Sequence, residues 1–277
     1  MKIFETHAHY EDRKFDSDRA ELLSALPKKG VSPVINVGAS METTRQTVEL
    51  VKQWPYMYAA IGVHPEEIRD LTDDDMEYLR AHAMDEMVVA IGEIGLDYHY
   101  LKEDYKHIED LGERHAAIDA VKEKQKYWFL RQMEIAREAD LPCIFHMRDA
   151  AADTMALLSE AAEKGTRGVI HCYSYSVDHA LKYIDMGYYI GIGGAVTFSD
   201  SKKLAEVVKA IPLSRILTET DCPYMAPEPF RGQRNDSTYI PYVIDRIAEL
   251  REITEEEVLE ATAENAYRLF TKVKKRY

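Results

Sequence analysis

The sequence predicts an α/β fold of the (β/α)8 TIM-barrel type, built as a single domain. Short apolar runs alternate with helix-like segments along the chain, which is the pattern of parallel βαβ units. Eight such runs are present, and eight parallel strands favour closure into a barrel over an open sheet. The length agrees, because 277 residues with 46% hydrophobic content suit one domain of this kind.

The eight predicted strands are short, and most are apolar throughout. They are Ile3 to Glu5, Pro33 to Val37, Met57 to Gly62, Met87 to Gly92, Cys143 to His146, Gly168 to His171, Tyr188 to Ile192 and Ile216 to Thr220. The run from Met87 to Ile91 has no polar alternation, which is typical of a parallel strand that is covered on both faces. Between the strands, apolar residues such as Phe129, Met133 and Ala136 fall at helical spacing and predict amphipathic helices.

Two connections are longer than this plan requires. After the fourth strand, residues 102–126 are dense in charge, and we interpret them as a helical insertion over the barrel mouth rather than a second domain. After the eighth strand, Pro223 to Ser237 has the composition of a structured loop, and helices are predicted from Tyr239 to Glu252 and from Thr254 to Phe270. One domain is therefore expected over residues 1–277.

Charge and cysteine content limit the function classes. The formal net charge is −14, so a phosphate clamp of surface lysines is excluded, and positive charge for a nucleic acid substrate must come from metal ions. The three cysteines, Cys143, Cys172 and Cys222, have no C-x-x-C spacing, which argues for a reducing compartment. No run approaches the roughly 20 apolar residues of a membrane span. A cytoplasmic protein without a membrane partner is expected.

Five of the ten histidines, His7, His9, His64, His146 and His171, occur at the C-terminal ends of predicted strands. Barrel enzymes build their active sites at this face. The other five lie in predicted helices or charged loops and are expected at the surface: His82, His99, His107, His115 and His179.

Six strand-end residues together suggest a metal site. His7 and His9 form an H-x-H pair whose side chains point the same way from a strand. The set is completed by Glu93 after the fourth strand, by His146 and His171, and by Asp221 after the eighth strand. Taken singly, each histidine could be a buried structural residue and each acid could cap a helix. Six N and O ligands on one barrel face fit two divalent cations bridged by a carboxylate.

The motifs resemble those of the TatD family of metal-dependent deoxyribonucleases, within the amidohydrolase-like superfamily. The resemblance rests on the segments Glu5 to His9, Gly62 to Pro65, Gly92 to Tyr98, His146 to Asp149, His171 to Ser174, Leu217 to Pro223, Arg231 to Asn235 and Asn265 to Phe270. Gly-Glu-Ile-Gly-Leu-Asp-Tyr and Glu-Thr-Asp-Cys-Pro are the most specific of these. Departures include Glu5 where an Asp is usual, Tyr175 where Gly is frequent, and Ser237 where Pro is common.

The resemblance implies two divalent metal ions, with Mg, Mn and Zn all open. One ion would be held by His7, His9, Glu93 and Asp221, and the second by Glu93, His146 and His171. Glu93 would bridge them. The implied reaction is hydrolysis of DNA phosphodiester bonds by an activated water, of the 3'-5' exonuclease type, with Glu93 and Asp221 as the catalytic carboxylates.

Three further residues receive roles around these ligands. His64 and Arg148 are candidates for binding the substrate phosphate, since Arg offers forked donors; His64 could instead begin a helix, and Arg148 could instead pair with Asp149 or Glu219. Glu219, two residues before Asp221 on the inner side, is predicted to support the ligands from behind.

The substrate remains open between two enzyme classes. Single-stranded DNA or damaged DNA ends are the first expectation, while the acidic surface favours the alternative, a small amide, ester or lactone hydrolysed on the same barrel. A metal-stabilised binding protein without turnover is a third hypothesis, disfavoured because the full ligand set is present. No protein partner is implied.

Overall fold

A computed structural model describes residues 2–275. Eight parallel strands follow one another around the sheet in chain order. They are β1 (Ile3–Ala8), β2 (Val31–Val37), β3 (Met57–Ile61), β4 (Val88–Asp97), β5 (Cys143–Arg148), β6 (Gly168–Ile170), β7 (Tyr189–Ile192) and β8 (Ile216–Thr218). The sheet closes where Ala8 forms a parallel bridge with Cys222, just after β8. The predicted (β/α)8 barrel is confirmed.

Strands β1 and β4 are longer than predicted. Their polar ends, which reach Ala8 and Asp97, stay in the sheet because the neighbouring chain supplies backbone partners: the Glu93 N–H donates to Gly38 O at 3.0 Å. The expectation that Glu93 follows the fourth strand is therefore wrong, since Glu93 lies within β4 beside a register shift between Ile91 and Ile94. Apolar patterning could not show this, because buried polar residues at a site carry no apolar signal.

Ten α-helices surround the described barrel. They are α1 (Arg19–Ala25), α2 (Met41–Val51), α3 (Asp73–His82), α4 (Leu101–Asp104), α5 (Leu111–Glu138), α6 (Ala151–Glu163), α7 (Val177–Asp185), α8 (Lys202–Ala210), α9 (Ile240–Arg251) and α10 (Glu255–Leu269). The two predicted C-terminal helices correspond to α9 and α10. Helix α10 begins at a capping box in which Thr254 and Glu257 satisfy each other's backbone N–H groups.

The core fills the space between the barrel and its helices. Phe129 of α5 packs edge-on against Phe145 of β5, and Phe145 in turn against Tyr188. A second apolar cluster joins the strands to α10 and includes Phe4 and Ile35. The three cysteines are free thiols. No helix of residues 2–275 is long and apolar enough to cross a membrane; the cytoplasmic location stays a prediction.

Residues 102–126 comprise α4, a turn, and the first half of α5. Arg114 donates through Nε to Ile108 O at 2.8 Å and holds the turn. Lys124 donates to Arg69 O in the loop after β3, and Gln125 bonds the backbone of Asp97 at the end of β4. The segment thus lies against the loops at the C-terminal ends of β3 and β4. Its role as an insertion that selects substrates stays a prediction.

Candidate metal centre

The six predicted ligands converge at the C-terminal ends of the strands, around the carboxylate of Glu93. This side chain is almost fully buried, and its two oxygens face different groups of histidines. We call His7, His9 and Asp221 the seam half, because they lie where the chain beyond β8 closes onto β1. We call His146 and His171 the β5–β6 half.

In the seam half, three side chains gather near Glu93 Oε2. The Nε2 atoms of His7 and His9 lie 3.5 and 3.8 Å from this oxygen. The same two nitrogens lie 3.6 and 3.4 Å from Asp221 Oδ1, and 3.0 Å from each other. Two imidazole nitrogens and two carboxylate oxygens therefore surround one point.

In the β5–β6 half, two imidazoles contact the other oxygen of the same carboxylate. Glu93 Oε1 lies 2.7 Å from His146 Nδ1 and 2.6 Å from His171 Nε2. The two nitrogens are 3.3 Å apart. Gly95 permits this approach of β4 to β5: its φ is +153°, and a Cβ there would lie 1.9 Å from His146 O.

In two of these rings, the nitrogen that points away from the centre makes a hydrogen bond, and this bond orients the ring. His9 Nδ1 lies 2.7 Å from Val37 O, and a carbonyl only accepts, so Nδ1 carries the proton. His146 Nε2 likewise bonds the carboxylate of Asp97 at 2.9 Å. Without a cation, His146 Nδ1 donates to Glu93 Oε1. A cation that displaces this proton would meet the lone pairs of His9 Nε2 and His146 Nδ1. Converging electron-pair donors of this kind fit a cation in each half.

The electrostatics keep the two ligand carboxylates ionised. Burial opposes ionisation of Glu93, but the charge of His171 and the hydrogen bonds of His146 and His171 hold its pKa well below the ordinary value. Burial is likewise outweighed at Asp221 by the hydrogen bond with His9 and the charges of His7 and His171, and its pKa is lowered. Both residues are therefore available as anionic ligands at neutral pH.

Glu5 fastens the seam half from behind. It is fully buried, and its Oε1 accepts from the backbone N–H groups of His7 at 3.1 Å and Thr220 at 3.0 Å, while Oε2 accepts from the Thr220 hydroxyl at 2.7 Å. Burial raises the pKa of Glu5 to about 7. This carboxylate, noted in the sequence only as a departure from Asp, joins β1 to the chain after β8.

Asp97 and two glutamines of α5 were missed in the sequence as parts of the site. Asp97 bonds His146, and burial of Asp97 is outweighed by that bond, so the pKa of Asp97 is lowered. The Gln125 side chain accepts from the backbone N–H of Asp97 at 2.9 Å and donates to its C=O at 2.8 Å. The Gln132 side chain accepts from the N–H of Val63 at 2.7 Å and donates to its C=O at 3.1 Å. Their seven-residue spacing places two amides on the buried face of α5, which was the available signal.

Glu219 lies behind the β5–β6 half. It is buried, and its Oε1 accepts from the N–H of Cys172, directly after His171. The same oxygen lies 3.9 Å from His171 Nδ1, too far for a hydrogen bond. Burial raises the pKa of Glu219 to about 7.

His64 lies at the edge of the centre, with Nε2 3.7 Å from Glu93 Oε1. Its Nδ1 accepts from the backbone N–H of Glu66 at 3.2 Å, so in the neutral ring Nε2 carries the proton and is a donor. Burial lowers the pKa of His64 to about 4, which keeps the ring neutral.

Arg148 ends β5, and its guanidinium lies over the ring of Tyr100 at 5.0 Å from the centroid. Within residues 2–275 it pairs with neither residue considered from the sequence: Asp149 bonds His99, and Glu219 bonds the Cys172 backbone. Its forked donors remain available to a ligand.

A mouth cavity of about 620 Å³ opens above the centre. Its lining includes six carboxylates, namely Glu11, Asp12, Glu66, Glu67, Glu93 and Asp221. Among the described residues that line it, Arg148 is the one Lys or Arg. Tyr224, 46% exposed at the edge, bonds Asp12 through its hydroxyl, whereas Tyr173 is buried.

A family model for TatD related DNases matches residues 4–271. The uncharacterized metal-dependent hydrolase YabD of Bacillus subtilis (strain 168) is 39% identical over 268 residues, covering 97% of this chain and 98% of YabD. The 3'-5' ssDNA/RNA exonuclease TatD of Cronobacter sakazakii is 31% identical over 279 residues, covering 98% of each chain. Among solved structures, the TatD homologue YjjV of Escherichia coli K12 superimposes with a TM-score of 0.83 at 28% identity, covering 97% of this chain and 98% of that one.

Proposed function

The chain belongs to the family of TatD-related DNases and is a metal-dependent hydrolase, and from this premise we propose that it cleaves phosphodiester bonds of single-stranded DNA with two divalent cations. The proposal rests on the orientation of the Glu93 carboxylate. One oxygen faces the seam half and the other faces the β5–β6 half, as a ligand shared by two ions requires.

The donor set supports two cations and several metals. His7, His9, Asp221 and Glu93 would hold the first ion, and His146, His171 and Glu93 the second. Imidazole and carboxylate donors without a thiolate suit Zn, and also Mn or Mg when oxygen ligands or water complete the set. When bound, the ions would lower the pKa of a water molecule and neutralise charge that builds up on the phosphate.

The chain's own residues then divide the work of hydrolysis. The Asp221 carboxylate, held ionised at the mouth, accepts the proton that the attacking water releases. Arg148 offers two N–H donors to the non-bridging phosphate oxygens. His64, neutral and with its proton on Nε2, donates to the same phosphate group. Glu219 holds the Cys172 backbone and with it the position of His171.

The acidic lining of the mouth cavity limits how a polyanion can bind. Six carboxylates and one arginine line the cavity, so an extended phosphate backbone gains little attraction away from the ions. Engagement of one strand end at the metal centre fits this charge better than a long duplex track. An exonuclease that acts from the 3' end is also the activity in the name of the Cronobacter relative.

The acidic lining also supports a second candidate, hydrolysis of a small amide, ester or lactone. Such a substrate is uncharged and meets no repulsion at Glu66, Glu67 or Asp12. The two candidates share the metals and differ in the role of Arg148, which a neutral substrate does not need.

Two measurements test the proposal. Metal analysis of the purified protein should give two equivalents per chain, and 5'-labelled single-stranded DNA should shorten stepwise from its 3' end. The same preparation is assayed on bis(p-nitrophenyl) phosphate, amides, esters and lactones. One equivalent of metal, or faster turnover of a lactone or amide than of any phosphodiester, would contradict the proposal.

A further inference from the structure

A second cavity, here called the rim cavity, lies beside the mouth cavity. It encloses about 590 Å³ between the loop after β3 and the segment from Tyr100 to Gln125. Glu66 lines both cavities, and Asp97, whose side chain bonds His146, lines the rim cavity. A molecule bound at the metal centre can therefore extend into the rim cavity without leaving the protein surface.

The walls of the rim cavity offer flat rings above an apolar floor. Tyr100, which is 46% exposed, Tyr105 and His107 contribute rings, and the planes of the last two are inclined by only 28°. Ile68, Leu101 and Val121 supply the apolar lining. Rings combined with apolar side chains are the surface on which nucleic acid bases stack.

The charge of the rim cavity differs from that of the mouth. Arg69 and Lys124 line it, against the acids Glu66, Asp97 and Asp104. Lys124 Nζ donates to Arg69 O, which places the ammonium group at the cavity wall. With two cations against three acids, the rim cavity repels a phosphate less than the protein side chains of the mouth cavity do, where one cation faces six acids.

The ring of Tyr100 connects the two cavities. Arg148 lines the mouth cavity and lies over this ring, while the ring itself lines the rim cavity. A nucleotide chain whose scissile phosphate contacts Arg148 would then pass its next base across the boundary formed by Tyr100. This arrangement orients the strand from the metal centre toward α4 and α5.

We propose that the rim cavity is a binding subsite for the base of a nucleotide adjoining the scissile phosphate, with that base stacked on Tyr100. The proposal rests on the proposed function, since it needs a polynucleotide at the metal centre. It also assigns a function to residues 102–126, because Asp104, Tyr105 and Val121 of that segment line the cavity. The subsite would accept any base, because every base has a flat face that can stack on an aromatic ring.

The test compares substrates with and without that base. Thymidine trinucleotide, and the same trinucleotide with an abasic sugar next to the scissile phosphate, are assayed with the wild type, Tyr100→Ala, Tyr100→Phe and Tyr242→Ala. Tyr242 is a matched control because it is 40% exposed on α9 and lines neither cavity. Thermal unfolding verifies that each variant folds.

In Tyr100→Ala, the ratio of kcat/KM for the trinucleotide to that for the abasic trinucleotide should fall about tenfold, as loss of one base stack predicts. The wild type should lose the same factor on the abasic trinucleotide. Tyr100→Phe and Tyr242→Ala should keep the wild-type ratio. An unchanged ratio in Tyr100→Ala, or an equal fall in Tyr242→Ala, overturns the proposal.

Failure of the proposed function would be seen separately, in a wild type that leaves the trinucleotide uncut. Fluorescence anisotropy of a labelled trinucleotide then tests the subsite alone. Binding that is about tenfold weaker in Tyr100→Ala supports the subsite, and equal binding by the wild type and Tyr100→Ala refutes it.

Discussion

The two halves of the candidate metal centre are supported in different ways. In the seam half, the supporting atoms belong to the barrel itself: Glu5 joins the backbone of His7 to that of Thr220, and Val37 O in β2 orients His9. In the β5–β6 half, support reaches His146 through Asp97, whose backbone is held by Gln125 of α5. The seam half depends on barrel closure. In the β5–β6 half, Glu219 after β8 holds the chain next to His171, whereas His146 depends on a helix packed outside the barrel.

Burial differs among the ligands but does not separate the two halves. The side chains of His7, His9 and Asp221 are 0%, 8% and 17% exposed, and those of His146 and His171 are 17% and 4% exposed. The halves differ instead in what holds them. A ligand that also closes the barrel cannot move without opening the fold. A ligand held by a helix can be repositioned by changes in that helix. We therefore expect the seam half to control stability and the β5–β6 half to control cation affinity and substrate choice.

The largest effect is expected from Asp221→Asn, which removes the proposed proton acceptor from the seam half. Turnover of bis(p-nitrophenyl) phosphate should fall by about 10²–10⁴-fold at saturating metal, the usual contribution of a general base. The amide has the same shape, so the variant should still fold and should unfold in urea as one cooperative transition. Turnover near the wild-type rate after metal saturation would remove Asp221 from the catalytic role.

Glu5→Ala tests whether the seam half supports the fold. It leaves the N–H groups of His7 and Thr220 buried without acceptors and the Thr220 hydroxyl with only a 3.5 Å contact to His7 O, so the free energy of unfolding in urea and chelator should fall by roughly 3 kcal/mol. Glu21→Ala, at an exposed position of α1, is the control and should change it little. A loss equal to that of the control would show that barrel closure does not need this carboxylate.

Gln125→Leu tests the helix side of the comparison. Loss of the amide removes the side-chain partners of the Asp97 N–H and C=O, and the free energy of unfolding should fall by about 2 kcal/mol, less than in Glu5→Ala. Gln53→Leu makes the same change at an exposed position and serves as the control. If Gln125→Leu proved more destabilising than Glu5→Ala, the proposed division between the halves would be reversed.

Asp97→Asn separates affinity from stability in the β5–β6 half. An amide cannot accept the His146 proton with the strength of a carboxylate, so one of the two cations should bind about ten- to a hundredfold more weakly in calorimetric titrations with Mn²⁺ or Zn²⁺. The other cation should keep its affinity, since Asp97 does not contact the seam half. Equal weakening of both ions would argue against two separable sites. Asp104→Asn on α4 is the exposed control.

The sequence predicted the barrel, and it predicted the residues that converge at the candidate metal centre better than the side chains that support them. Strand-end histidines and short motifs are local signals, so His7, His146 and Asp221 could be found without coordinates. The support of Asp97 by Gln125 joins positions 28 residues apart in the chain. The seam contact of Glu5 with Thr220 spans 215 residues. Such pairings depend on the register of packed elements, which neither periodicity nor spacing determines.

The smallest effect is expected from Asp153→Ala, on helix α6, which follows β5. Asp153 Oδ2 accepts from Tyr98 Oη at 2.8 Å and lies 2.9 Å from Lys126 Nζ, and its side chain is 37% exposed. A pair this open to solvent should contribute less than about 1 kcal/mol to unfolding in urea and less still at high salt. The hydrogen bond with Lys126 lowers the pKa of Asp153 below 3.8, so the contribution is full above that pH and is lost as the pH falls through the lowered pKa. A loss above 2 kcal/mol that salt does not reduce would mean that this carboxylate, rather than the amides of α5, holds the β5–β6 half in place.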